Sequence, residues 1–173
     1  GPYQQASWQI AFNPKKLESV ETVAKFQYHP IGVEIDTLPD FYLSSAFGGR
    51  MRNQVRHYPN VGDAFDAMHE GEVNAVMGMR AEIDHELGKA ENDDFKLADN
   101  GFPGIGKQVW DVGMAIKHTH RQFGYALEAI MDRLVKSGEM HDLFEREGLS
   151  YSVPGYYREF LDETMIERAE GAE

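Results

Sequence analysis

The sequence predicts an α/β protein with a largely parallel β-sheet. Short segments rich in β-branched residues alternate along the chain with segments of helical periodicity, and the connections between them are short. Hydrophobic residues make up 42% of the 173 residues, including ten Phe and eight Tyr, which is enough for a real core. This length corresponds to one domain or slightly more, and no internal repeat is present.

The first predicted strands lie near the start of the chain. Ser7–Phe12 alternates apolar and polar residues and is stopped by Asn13-Pro14. Residues 17–24 form a short helical segment or turn, and Ile31–Ile35 is a second, compact strand that ends at Asp36-Thr37. A helix then opens at Pro39-Asp40, contains Phe41, Tyr42 and Phe47, and stops at Gly48-Gly49. The next predicted elements are a strand at 55–58, a helix at 61–71, a strand at 73–78 and a helix at 80–87.

The second half of the chain is predicted to be mainly helical. Residues 91–106 form a loop with one short strand near Phe95–Leu97, and 109–116 form an alternating strand. Helices follow at 121–136 and 139–147, with Gly138 between them, and the tail from Tyr156 carries further apolar residues. Five apolar residues fall on one face of the first of these helices: Phe123, Leu127, Ile130, Met131 and Leu134.

The acidic composition argues against several kinds of partner. The chain has 29 Asp and Glu against 17 Lys and Arg, a formal net charge of −12, which disfavours nucleic acid and anionic membrane surfaces. No apolar run reaches the roughly 20 residues that a membrane span needs. The absence of cysteine removes disulfides, thiolate nucleophiles and Cys-based metal sites. No signal-peptide pattern stands at the start, so the sequence gives no targeting information.

The sequence contains no complete catalytic or cofactor motif. Gly101–Gln108 fits the phosphate-loop spacing, but Gln108 replaces the hydroxyl residue and a strand follows instead of a helix, which favours a plain loop. The spacing in His118-Thr119-His120 and Asp84-His85-Glu86 puts no pair of these side chains on one helical face. Neither a Gly-x-Ser-x-Gly elbow nor an HExxH motif is present. We therefore predict no enzymatic activity, no metal and no cofactor.

Aromatic residues indicate where binding could occur. Tyr3, Trp8 and Trp110 lie in or beside the two extended segments that bracket the middle of the chain. If both segments run between the same two lobes, these rings gather near a crevice. The alternative is that the rings are ordinary core residues, and the sequence leaves both interpretations open.

Four segments together resemble the type II periplasmic solute-binding proteins, which include the polar-amino-acid receptors of ABC transporters. Asp63–Gly78 is similar to that family's helix–Gly–Val-Asp-Ala-Val-x-Gly segment, and Ile31–Val33 to the strand that opens lobe 2. Trp110–Lys117 resembles the strand that returns to lobe 1, and Leu134–Phe144 the closing helix pair. The resemblance runs from about Tyr3 to Gly148 and rests on the order and spacing of these segments.

The resemblance implies a fold with lobe 2 complete and lobe 1 partial, its N-terminal segment missing. It implies a hinge strand region at 1–14, lobe 2 at 15–107, a return hinge strand at 108–118, and the C-terminal helices of lobe 1 with the tail at 119–173. It also implies a periplasmic location. The apolar faces of the C-terminal helices would then lack their usual sheet, so we expect them to form a homodimer or to fold onto lobe 2.

The ligand-binding positions of the family are only partly kept. Amino-acid receptors carry Gly-Thr after the first lobe 2 strand and an Asp after the Val-x-Gly strand, which holds the substrate ammonium. In this sequence the matching positions read Asp36-Thr37 and Met79. Because a thioether cannot pair with an ammonium, a conventional α-amino acid is not the expected ligand.

Two functions follow from the resemblance. Pro2–Phe12 is similar to a Pro-Tyr-Tyr-x-Ser-x-Tyr-x-Phe-Val stretch in solute-binding-like accessory proteins encoded beside PQQ-dependent methanol dehydrogenases. That similarity predicts a non-catalytic accessory or maturation partner of such a quinoprotein dehydrogenase, or of its cytochrome, that binds through an apolar cleft. The alternative is an ABC-transporter receptor for an uncommon small ligand, read by Asp36, Thr37 and Arg80. The predicted lining of the apolar cleft is Tyr3, Trp8, Phe41, Met79 and Trp110.

Overall fold

A computed structural model describes residues 1–98 and 108–171 of the chain. These residues form two compact units: residues 8–98 with 108, called the sheet unit, and residues 1–7 with 109–171, called the helical unit. Each unit is described separately below. No helix within the described ranges is long and apolar enough to cross a membrane.

The sheet unit contains five strands in the order β3-β2-β4-β1-β5. β2 lies parallel to both β3 and β4, whereas β1 pairs antiparallel with β4 and β5, so the predicted parallel pairing holds for β3, β2 and β4 at one side of the sheet. The strands are β1 (Pro2–Phe12, of which residues 8–12 belong to this unit), β2 (Ile31–Glu34), β3 (Val55–Tyr58), β4 (Ala75–Met79) and β5 (Lys96–Leu97).

Three helices connect or follow the parallel strands: α1 (Leu38–Gly49), α2 (Val61–Glu70) and α3 (Arg80–Leu87). The Asn60 side chain accepts the backbone N–H of Asp63 at 2.8 Å and so caps the start of α2. Gly71, at φ 80°, ends it in the left-handed conformation. The regular backbone of α1 stops earlier than predicted, because residues 46–48 have non-helical angles.

Alternating side chains place a core on each face of this sheet. Ile10 and Phe12 of β1 point into one core and Ala11 into the other, as the pleat of a strand requires. Leu43 of α1 lies in the first core, and the buried face of α2 lies in the second. Gly32 allows α2 to approach closely, since a Cβ there would lie 3.3 Å from the Cβ of Ala64 in α2.

The helical unit combines one strand pair with four helices. Residues 2–7 of β1 pair antiparallel with β6 (Val109–Gly113). The helices are α4 (Arg121–Ser137), α5 (Glu139–Arg146), α6 (Gly155–Arg158) and α7 (Glu163–Ala169). Its core of fully buried apolar residues is small and consists of Val135, Met140, Val153, Tyr157 and Ala169.

Several element boundaries differ from the sequence predictions. β1 begins at Pro2 instead of Ser7, because its first residues pair with β6. β6 ends at Gly113 instead of Ile116, where its pairing with Pro2 ends. The predicted apolar face of α4 is only partly covered: Phe123 and Ile130 are 58% and 45% exposed, while Met131 and Leu134 pack against the core.

Candidate functional site

The strand order of the sheet unit defines a candidate ligand-binding edge. From β2 the chain passes through α1 to β3 on one side, and from β3 it passes through α2 to β4 on the other side of β2. α1 and α2 pack on opposite faces of the sheet. In open α/β sheets, ligands bind outside the carboxyl ends of the strands where the order reverses in this way. Here that point lies between the loop 35–37, which follows β2, and the junction of β4 with α3 at Met79 and Arg80.

The first loop brings Asp36, Thr37 and Phe41 to this edge. Asp36 has a left-handed backbone with φ 61°, an uncommon conformation for a residue other than glycine. The Thr37 hydroxyl donates to the carbonyl oxygen of Glu34 at 2.6 Å and so closes the turn at the end of β2. Phe41 lies one turn into α1 and is 59% exposed. These three predicted residues therefore lie around the start of one helix.

Asp40, which the sequence analysis did not single out, holds this loop in place. Its buried carboxylate accepts the backbone N–H of Asp36 at 3.0 Å, the hydroxyl of Ser44 at 2.9 Å and Nε2 of His57 at 2.9 Å. Burial raises the pKa of the Asp40 carboxyl, but the hydrogen bonds from Asp36, Ser44 and His57 outweigh burial and leave the pKa below its usual value. The ionised carboxylate can only accept, so His57 donates from Nε2.

Met79 and Arg80 form the junction of β4 with α3. Met79 ends β4 and is the antiparallel partner of Trp8, whose ring centroid lies 5.0 Å from that of Tyr42. Arg80 begins α3, and its Nε pairs with Asp84 at 2.7 Å across one helical turn. The predicted residues Trp8 and Met79 are thus direct neighbours, while Arg80 is engaged with its own helix.

A pair of carboxylates, also missed by the sequence analysis, adds negative charge to the edge. Desolvation and then the charge of Glu34 raise the pKa of Glu82 above its usual value, although part of the Glu82 side chain is exposed; a backbone hydrogen bond from Met79 lowers it. Glu34 ends β2 and Glu82 lies in the first turn of α3. Because the charge of Glu34 disfavours ionisation of Glu82, a cation near the two carboxylates would be favoured.

Tyr3 and Trp110 belong to the helical unit. Trp110 is paired with Ala6 between β6 and β1, and the backbone oxygen of Tyr3 accepts the Tyr151 hydroxyl at 3.0 Å. The Tyr3 ring packs against the small core of that unit. That the Tyr3 and Trp110 rings lie near a shared crevice stays a prediction.

Other candidate groups do not add to the site. Residues 101–107 of the phosphate-loop-like segment lie outside the described residues. His118 and His120 lie in an exposed single turn, where His118 Nε2 is 2.7 Å from Arg121. One group in the described ranges could approach a metal, His141, Asp142 and Glu145 of α5, with ligand atoms within 4.8 Å of one another. Both its carboxylates are exposed, an arrangement that is common without a metal.

Comparison with known proteins identifies the fold. No protein-family model and no curated protein matches the chain. Several solved structures are similar to it. An amino acid ABC transporter substrate-binding protein from Streptococcus pneumoniae, bound to L-arginine, has a TM-score of 0.72 and 19% identity over 86% of this chain and 59% of that one. An ancestral arginine-binding protein bound to glutamine has a TM-score of 0.63 and 18% identity over 84% of this chain and 61% of that one. A solute receptor for L-cysteine of Neisseria gonorrhoeae has a TM-score of 0.65 and 14% identity over 95% of this chain and 61% of that one.

These similarities confirm the predicted fold class. The chain has the mixed α/β architecture of the type II periplasmic binding protein fold. It spans 59–61% of the length of the three structures named above. The proteins in those structures are, by their descriptions, binding proteins and receptors for amino acids, and what they bind is a property of those proteins.

Proposed function

We propose that this chain is the ligand-binding part of a non-catalytic solute-binding protein that delivers a small molecule to an ABC transporter. The observation that carries the proposal is the edge of the sheet unit between β2 and β4, where the strand order reverses in a fold shared with solute receptors. Ser44 and His57 both bind the Asp40 carboxylate, so among the described hydrogen bonds of this network the serine hydroxyl is not paired with the imidazole as a nucleophile with its base would be. Binding without chemistry is the function this geometry supports.

The chemistry of the edge favours a cationic ligand with an apolar portion. Glu34 and Glu82 supply neighbouring carboxylates, and the formal net charge of −12 would steer a cation toward the protein. Ile35, Leu38 and Phe41 are 51%, 49% and 59% exposed beside them, so an aliphatic stem could cover apolar surface on binding. Met79 offers no charge to an α-ammonium group, which argues for a cation that is not held as an α-amino acid.

Isothermal titration calorimetry with a small panel tests both parts of the proposal. The panel contains L-arginine, L-glutamine, L-cysteine, putrescine and agmatine, which keeps the guanidinium and stem of arginine but lacks its carboxylate. We expect saturable binding of agmatine with a Kd of roughly 10 μM or tighter, and weaker binding of L-arginine. Tight binding of L-arginine alone would leave the receptor role intact and refute the ligand class. No saturable heat with any member would refute the receptor role for these classes of small molecule.

Charge-neutral variants locate the ligand at the edge. Glu34→Gln and Glu82→Gln should each weaken agmatine binding by about tenfold, the effect of removing one charge-assisted hydrogen bond. Glu18→Gln is the matched control, because Glu18 is an exposed carboxylate of the same unit and lies outside residues 34–37 and 79–82. An equal loss in all three variants would show that only the overall charge matters.

Three further expectations from the sequence concern an accessory role, a periplasmic location and the pairing of two copies. The accessory role beside a quinoprotein methanol dehydrogenase gains no support from the similar structures named above, and we do not favour it. A periplasmic location accords with the fold. Sedimentation at several protein concentrations tests whether two copies pair through the exposed faces of the C-terminal helices.

A further inference from the structure

The buried carboxylate of Asp40 is shared by three parts of the sheet unit. Asp40 is only 6% exposed. Its Oδ2 accepts the backbone N–H of Asp36 in the first loop at 3.0 Å, and its Oδ1 accepts Ser44 of α1 and His57 of β3, each at 2.9 Å. A carboxylate with this many donors is well satisfied despite its burial. The loop, the helix and the strand therefore meet on a single side chain.

The first loop needs such a support. Asp36 is one of two non-glycine residues in the described ranges with a positive φ, and a side chain in the left-handed region is retained only where the surroundings determine it. The hydrogen bond from its own N–H to Asp40 is one such determinant. Because Thr37 follows directly and is the N-cap residue of α1, the direction of the Asp36 backbone also sets where Thr37 lies.

We propose that Asp40 is a positioning residue of the candidate site, which holds Asp36 and Thr37 in the binding conformation before the ligand arrives. This inference rests on the proposed function, since it assigns the loop 35–37 to a ligand site. Asp40 is buried and acts through the backbone of the loop instead of touching the ligand. A loop that is already ordered loses less conformational entropy on binding, so affinity depends on the support.

The network supplies its own control. Ser44 and His57 bind the same carboxylate, but their hydrogen bonds tie it to α1 and β3 and do not reach the loop. Removing the Ser44 hydroxyl should therefore disturb the packing of Asp40 and leave the Asp36 hydrogen bond in place. A residue with a purely structural role would show no such distinction, because every lost bond would lower stability alike.

Amide hydrogen exchange, followed by NMR on the whole chain, tests the positioning directly. In Asp40→Ala the Asp36 amide should exchange at least about tenfold faster, because its acceptor is gone, while the Met77 amide in β4 keeps its rate. Ser44→Ala should leave Asp36 within about twofold of its original rate. If Asp40→Ala does not fold, Asp40→Ser replaces it, since its hydroxyl is too short to reach the same donor. Unchanged exchange at Asp36, or equal acceleration at Asp36 and Met77, would overturn the inference.

Agmatine titration of the same samples separates this inference from the proposed function. Asp40→Ala should weaken agmatine binding by about tenfold and Ser44→Ala by less than about twofold, under conditions where both variants are folded. Equal affinity in the original chain and Asp40→Ala would overturn the positioning role and leave the receptor role standing. If the original chain binds no agmatine but Asp36 exchange responds as expected, the ligand class proposed above is wrong and the support of the loop by Asp40 stands.

Discussion

The two units of this protein bury their apolar residues to very different extents. Of the buried hydrophobic residues in the described ranges, twenty-four lie in the sheet unit and five in the helical unit. Large hydrophobic residues that remain exposed show the opposite distribution, with five in the sheet unit and ten in the helical unit. A sheet covered on both faces buries alternate residues on each side, whereas each helix buries one stripe and needs a neighbour for it.

This difference bears on where a binding site can be built. The candidate site lies on the unit with the larger core, so its loops are anchored to elements that cannot shift without opening a packed interior. The helical unit instead has an apolar groove of about 410 Å³, lined by Tyr3, Met131, Leu134, Leu143 and Phe144 among others. Substitutions in each unit test this contrast.

Removal of a core ring should be far more costly in the sheet unit. Phe65→Ala, at a side chain that is 1% exposed, should lower the free energy of unfolding by about 3–5 kcal/mol, and Phe144→Ala of the half-buried ring in α5 by about half as much or less. Urea unfolding measures both. Trp8 reports on the sheet unit in a Trp110→Phe background, and Trp110 on the helical unit in a Trp8→Phe background. Equal losses in the two variants would contradict the contrast in packing.

Added methyl groups should have opposite effects in the two units. A Cβ at Gly32 would lie 3.1 Å from the Tyr58 ring and 3.3 Å from Ala64, so Gly32→Ala should destabilise by about 1–3 kcal/mol. A Cβ at Gly124 in α4 would meet Ile116 at an ordinary 3.5 Å, so Gly124→Ala should stabilise by about 0.5–1 kcal/mol through helix propensity. Thermal unfolding of the two variants decides the signs, and a loss at Gly124 would mean that α4 is more tightly packed than described.

Neutralising Glu82 should make the sheet unit more stable at neutral pH. Its folded-state pKa lies above the ordinary value of 4.5, so the ionised form is disfavoured in the folded protein. That penalty is present above the raised pKa and disappears as the pH falls below 4.5. Glu82→Gln should therefore stabilise at pH 7, by at most about 1 kcal/mol because the side chain is partly exposed, and have no effect at pH 3.5. Urea midpoints at both values test this, with Glu18→Gln as the control.

Substitution on the exposed face of α4 should have the smallest effect. Phe123 is 58% exposed, so Phe123→Gln should change the free energy of unfolding by less than about 0.5 kcal/mol. If that face instead joins two copies of the chain, the stability will depend on protein concentration and the substitution will remove the dependence. Sedimentation velocity at several concentrations distinguishes the two cases, and a large loss at low concentration would contradict the exposure of Phe123.

The sequence was most informative where local chemistry alone decides the structure. Arg80–Leu87 was predicted with its observed limits, and Val55–Tyr58 likewise, because turn residues flank both. The predicted start of β1 was wrong, because no local pattern shows that residues 2–7 pair with β6, more than a hundred residues away. It also missed Asp40, although the spacing Thr37-Leu38-Pro39-Asp40 resembles a capping box and could have indicated a supporting carboxylate.

Three features could be read from the amino-acid sequence: the alternation of strands and helices, the acidic composition that disfavours nucleic acid and membrane partners, and Met79 in place of a carboxylate. These depend on periodicity, turn chemistry and residue type, which act over a few positions along the chain. The convergence of Asp36, Ser44 and His57 on Asp40, and the influence of the Glu34 charge on the pKa of Glu82, depend on the tertiary structure. Such groupings follow from the order and register of the strands, which join residues far apart in sequence and leave no periodic trace within it.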